Sequence, residues 1–183
     1  GYILIAFRQG DIQNRMEASA VPVRRQSMEG LLAMGVMGIV LWGIGIAGAG
    51  IMYGRKFWQS ETLGYYFLNS LIMMAVALSL SYLVGIFIKN SNMLSGFANV
   101  ISLGMCFLCG VFVPMNVMDK KVLKVSQFLP VYWYEQVNEL LGEYTTLTDK
   151  IASQIYMAMG IEVLFAVVFV CLTLTVVKYK RQK

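Results

Sequence analysis

Four apolar runs, at 30–54, 62–88, 94–114 and 151–177, constrain this chain more than any other feature, and only the last contains a charge, Glu162. Each is about as long as a helix must be, roughly 20 residues, to cross the hydrocarbon of a bilayer. Inside lipid every backbone N–H and C=O must be satisfied within its own helix or a closed barrel. None of the runs alternates polar and apolar residues at period two, so helices follow. The expected fold is an all-α polytopic membrane protein with four complete transmembrane helices. Gly1 to Phe7 is apolar but too short to span or to form a signal peptide, and it reads as the end of a fifth span. The chain 1–183 is expected to be one transmembrane domain and a fragment of a longer one.

Composition agrees with that reading. Hydrophobic residues make up 58% of the chain and charged residues only 14%, against roughly 45–50% and 25% in soluble domains. A soluble domain needs charge over its surface, whereas a bilayer accepts apolar side chains outside. The net charge of +5 comes from short basic clusters between the runs rather than from a stripe beside stacking aromatics, which argues against nucleic acid as a partner. The chain contains no histidine, so the usual general base and most zinc and haem chemistry lack their usual residue. Cys106, Cys109 and Cys171 lie in apolar runs and read as small buried hydrophobes.

Charge and aromatic placement orient the runs. Segment 8–29 and the tail beyond Val177, together with Lys89, carry nine basic residues against six in the alternate loops. The positive-inside rule makes the former cytoplasmic, the C-terminus included. Tyr53, Phe57, Trp58, Tyr65, Tyr66 and Phe128, Tyr132, Trp133, Tyr134 then fall together at the outer interface. Between 115 and 134, Met118, Val122, Val125 and Leu129 recur at helical spacing, with Lys120, Lys121 and Lys124 largely off that stripe. This predicts an external interfacial helix. Pro114 is expected to end or kink the span before it and Pro130 to stop the interfacial helix, leaving Glu135 to Lys150 as an exposed polar segment.

Three motifs invite chemistry. Gly43-Ile44-Gly45-Ile46-Ala47-Gly48 spells a dinucleotide fingerprint but lies mid-span without a βαβ unit; its small residues four apart predict helix packing instead. Cys106-Phe107-Leu108-Cys109 has redox or metal spacing, yet no second pair accompanies it, which favours two buried thiols. Glu162 is costly inside an apolar run and marks either a translocation or gating residue or a carboxyl group bonded to a neighbouring helix through a residue such as Asn69. In segment 8–29, Ile12, Met16 and Val21 interleave with Arg15, Glu17, Arg24 and Arg25, which suits either a short surface helix or an ordinary positive-inside loop.

Taken in order, the chain resembles the later two-thirds of a type-two ABC transporter permease, the transmembrane subunit of ABC exporters. Asn14-Arg15-Met16-Glu17-Ala18-Ser19 and the basic pair after it resemble the family's coupling-helix loop. Gly85-Ile86-Phe87-Ile88-Lys89-Asn90 resembles the inner end of its fourth span. Gly110-Val111-Phe112-Val113-Pro114, followed by an amphipathic stretch closing on Phe128-Leu129-Pro130, resembles its external re-entrant element. The resemblance implies a plasma-membrane subunit that pairs with a second permease protomer and exports a drug, peptide, lipid or similar substrate. It also implies coupling through Arg15, Met16, Glu17, Ala18 and Ser19 to a separate cytoplasmic ATPase. ATP and Mg belong on that partner, since this chain has no Gly-x-x-x-x-Gly-Lys-Ser/Thr loop. By the same likeness, the first span and most of the second lie before residue 1.

Two other functions fit a chain of membrane helices. A non-transporting anchor or sensor partner needs no motif that this sequence lacks. An intramembrane enzyme needs a catalytic constellation, and the spans offer no histidine, no glutamate pair and no serine with a base beside it.

Overall fold

The computed structural model describes residues 23–54, 58, 62–88, 90–144 and 148–181, with side chains of 23–31, 91, 180 and 181 excepted. Among the described residues six helices form: α1 (Val23–Tyr53), α2 (Leu63–Phe87), α3 (Ser91–Leu108), α4 (Lys120–Ser126), α5 (Pro130–Glu143) and α6 (Asp149–Arg181), with a 3-10 turn at Met115–Val117. The described residues contain no strand. Among the described residues three helical stretches are long and apolar enough to cross a membrane: Leu32–Tyr53, Leu63–Phe87 and Asp149–Tyr179. The fifth, partial span falls at 1–7, outside the described residues.

α1 starts seven residues earlier than the run at 30–54 predicts, because Val23 to Glu29 continues the helix. This stretch is rich in Arg, Gln, Met and Glu, all good helix formers. The run at 94–114 departs in the other direction. Its helix stops at Leu108 after 18 residues, about 27 Å at 1.5 Å per residue and just short of the ~30 Å hydrocarbon core. The break comes at Gly110 rather than at Pro114: Gly110 has φ +98°, a left-handed conformation that glycine alone adopts without strain.

The expected single helix over 115–134 is also corrected. A 3-10 turn and α4 fill its first part, and Asp119 caps α4 by accepting from the Lys121 amide at 2.8 Å. The buried side of α4 carries Ser126, while Val125 is exposed, so the helix is rotated from its apolar stripe. Ser126 Oγ donates to the carbonyl of Leu108, tying α4 to the end of α3. Pro130 begins α5 instead of ending a helix. Proline suits that first position because its missing N–H would have had no partner there and its φ is already helical. The segment expected to be polar and exposed from Glu135 is therefore largely helix, with Val137 and Leu141 buried.

The core lies where α2, α5 and α6 meet. Val137 and Leu141 of α5 pack with Ile155, Ala158 and Met159 of α6, flanked by Tyr65, Tyr66 and Ile72 of α2. α2 and α6 run parallel: the hydroxyls of Tyr65 and Tyr156 meet at 3.3 Å, a 91-residue offset, close to the start of each helix. α1 packs on α2. A Cβ at Gly38 would stand 3.0 Å from Leu78 Cδ1, so this glycine marks their close approach. Trp42 Nε1 donates to Ser70 Oγ at 2.9 Å across the same pair. Gly43 and Gly45, predicted as packing positions, face open space among the described residues.

Candidate functional site

The buried side of α6 follows Ile155, Ala158, Met159 and Glu162, at the three- and four-residue spacing that keeps side chains on one helical face. Glu162 therefore points into the bundle with its apolar neighbours and is fully buried. Applied further along, the 91-residue offset sets it level with Leu71, less than a turn beyond Asn69 of α2. Asn69 is also fully buried. Its amide donates to the Tyr134 carbonyl at 3.1 Å and to Asn138 Oδ1 at 3.2 Å, both on α5. Asn138 in turn donates to Glu135 Oε2 at 3.3 Å.

The predicted bond between Glu162 and Asn69 is not made, because Asn69 spends its donor hydrogens on α5. Neither Glu162 oxygen has a hydrogen-bond partner among the described residues, and Asn69 Oδ1 and Gln136 Oε1 are likewise buried without one. All four atoms are acceptors. A donor brought by a moving helix, a partner or a passing ligand would be bound strongly there, since unpaired buried acceptors are costly.

At the far end of α3 the chain reverses tightly. A Cβ on Gly110 would stand 2.7 Å from Met115 Cγ and 3.4 Å from Glu135 Cγ. The Met115 amide donates to Glu139 Oε1 at 3.3 Å. Thus the Glu139 carboxylate holds the reversal, and the chain Asn69–Asn138–Glu135 reaches from α2 to the side chain that packs beside Gly110. Of the three residues predicted to form a re-entrant element, Gly110 and Pro130 are buried in this region and Pro114 is exposed. Asn138, Glu135 and Glu139 were missed by sequence reasoning. Their signal was the 135, 138, 139 spacing, which repeats the helical period inside a segment read as loop.

α2 and α3 are consecutive but do not pack along their length. Between them lies a cavity of about 530 Å³, closed at one end by Pro130, Val131 and Tyr134 of α5. Cys106 lines it, whereas Cys109 is buried and Cys171 exposed; all three thiols are free. Among the described residues no group of three or more His, Cys, Asp or Glu could hold a metal ion. Arg15, Met16, Glu17, Ala18 and Ser19 lie outside the described residues.

Long apolar helices and an outer face of exposed Leu, Val and Ile mark a polytopic membrane protein. The chain matches the family described as ABC-2 family transporter protein across residues 14–175, and it belongs to that family. It is the membrane permease component of an ABC transporter. No curated protein and no solved structure matches it.

Proposed function

We propose that this permease exports an apolar or amphipathic substrate, a drug, peptide or lipid, from the plasma membrane, driven by ATP that a separate ATPase subunit hydrolyses with Mg. Its C-terminus lies in the cytoplasm, and two permease protomers form the path. Arg15, Met16, Glu17, Ala18 and Ser19 receive the push of the closing ATPase, and the helices re-pack in response. Two arrangements of one bundle, biased by nucleotide state, are enough to turn remote hydrolysis into movement.

The observation that carries this reading is Glu162, fully buried and without a hydrogen-bond partner among the described residues, in the seam between α6 and its neighbours. A membrane anchor gains nothing from such a group, which costs free energy in lipid. A seam that exchanges one set of contacts for another gives it a role as a gating or translocation residue. Gly110, Pro114 and Pro130 form the external re-entrant element that caps the path.

Reconstitution with the ATPase tests this. Inside-out vesicles should accumulate a fluorescent hydrophobic drug only with ATP, and Glu162→Gln should change the initial rate several-fold while protomer assembly is retained. Charge reversal at Arg15 and Glu17 should release the ATPase. If no ATPase co-purifies, or if transport ignores all three substitutions, the chain is an anchor or sensor partner instead.

A further inference from the structure

The turn from α3 through α4 shows two kinds of side chain to the outside at once. Val117 is 75% exposed, Val125 58% and Phe128 81%. Lys120, Lys121 and Lys124 are exposed on the same short helix. Lys121, Val125 and Phe128 follow helical spacing, as do Lys120 and Lys124, so ammonium groups flank the uncovered apolar side chains. The only carboxylate between Cys109 and Tyr134 is Asp119. It is engaged at the start of α4, accepting from the Lys121 amide at 2.8 Å, and three lysines against one aspartate leave the stretch positive.

Two sets of contacts fix how far this surface stands from lipid. Ser126 Oγ donates to the Leu108 carbonyl, which pins the end of α4 to the end of α3. The ring of Phe112 meets that of Phe107 edge-on with centroids 4.9 Å apart, and the Phe112 amide donates to the Cys106 carbonyl at 3.3 Å. The uncovered flank of α3, with Val100, Leu103 and Phe107, is thereby continued by Phe112. Counted from its Asn90 cap at one edge of the hydrocarbon, α3 ends at or just inside the opposite edge of the ~30 Å core. From Ser126 back to Lys120 is ~9 Å, close to the depth of one headgroup layer, about 5–8 Å. Lysine stems follow apolar surface and carry their ammonium groups outward to the phosphates.

That depth and that mixture of side chains select the partner. Open water suits the lysines and leaves Val117, Val125 and Phe128 exposed at a cost. A wholly apolar cover suits those three and strips water from unpaired ammonium groups. A phospholipid interface meets both needs within a few ångströms, with acyl chains below and phosphate oxygens above. We propose that α4 and its flanking turns seat in the headgroup layer at the end of α3, where Lys120, Lys121 and Lys124 bind the phosphates of anionic phospholipids. An anionic surface attracts each such lysine separately, so the three act together. The inference rests on membrane residence alone and stands apart from the export reading.

The test uses the full chain in phosphatidylcholine vesicles doped with a lipid that carries a photoreactive diazirine in its headgroup, either phosphatidylglycerol or phosphatidylcholine. Adducts are mapped by mass spectrometry. Across residues 115–128 the phosphatidylglycerol probe should label roughly fivefold more than the phosphatidylcholine probe, and high salt should shrink that ratio. Lys120→Gln, Lys121→Gln and Lys124→Gln together should bring the ratio close to one and leave labelling by the phosphatidylcholine probe unchanged, whereas three Lys→Arg replacements should preserve it. All three side chains are exposed, so these variants keep the fold. Equal labelling by the two probes in the unmodified chain would mean residence at the interface without charge recognition and would overturn the proposal. Absence of labelling by both would place α4 under another protein surface, such as a second copy of this chain, and would overturn it as well.

Discussion

The side-chain amide of Asn69 donates to Asn138 Oδ1 at 3.2 Å, joining α2 to α5 with Asn69 fully withdrawn from the surface. Asn69 makes a second bond to the same short helix, donating to the Tyr134 carbonyl at 3.1 Å.

Removing that donor should weaken the bundle. Asn69→Leu leaves the Tyr134 carbonyl and Asn138 Oδ1 without their donor and should cost about 1–3 kcal/mol. In a double-mutant cycle with Asn138→Leu, the pair itself should account for about 0.6 kcal/mol, and at most about 1.7. Unfolding in mixed micelles measures both, and a coupling of zero would mean that the contact contributes no specificity.

Gly110→Ala should be poorly tolerated for two separable reasons. The added methyl meets Met115 Cγ at 2.7 Å, and the residue holds φ +98°. Trimming the neighbour in Gly110→Ala/Met115→Ala should remove the clash and leave the conformational cost of about 1–2 kcal/mol. Full recovery in the double variant would show that the backbone geometry there is dispensable.

The glycines of α1 should divide into two groups. Gly38→Val should separate α1 from α2 and lower the melting temperature, because Leu78 Cδ1 and Met74 Sδ crowd the site. Gly45→Ala meets nothing within 4 Å and should leave stability unchanged or raise it by up to about 1 kcal/mol, the helix-propensity difference. A loss of stability at Gly45 would mean that another chain packs on this face.

α5 can be tested as a helix directly. Val137→Pro should disrupt it by about 3 kcal/mol or more, removing an internal hydrogen bond and displacing a residue from the core. Pro130→Ala, at the first helical position, should cost less than about 1 kcal/mol. Thermal unfolding followed by circular dichroism distinguishes the two.

How much of this could be read beforehand differs by element. α1, α2 and α6 were legible because the requirement for internal hydrogen bonding in lipid turns an apolar run into a helix almost without regard to detail. Glu162 was legible for the same reason, being the one charge in such a run. α5 was not. Its apolar face, Trp133, Val137, Leu140 and Leu141, is interleaved with Glu135, Asn138, Glu139 and Glu143, which together look like a soluble loop. The stop at Gly110 was hidden by apolar residues on both sides, and its positive φ becomes necessary only once Met115 and Glu135 close in on it. The partners of Asn69 depended on α5 and so were unreadable until that helix was known.

α3 ends at Leu108, and α4 and α5 take up the space beyond it, while α2 and α6 continue unbroken beside them. The bundle thus combines two stiff rods with a column cut into short segments, jointed at Gly110 and again before Pro130. Turns in the backbone are concentrated in that segmented part, whereas α2 and α6 each keep one helical hydrogen-bond ladder from end to end. At the first break the left-handed φ of Gly110 sets the direction the chain takes, and at the second the fixed φ of Pro130 sets the start of α5.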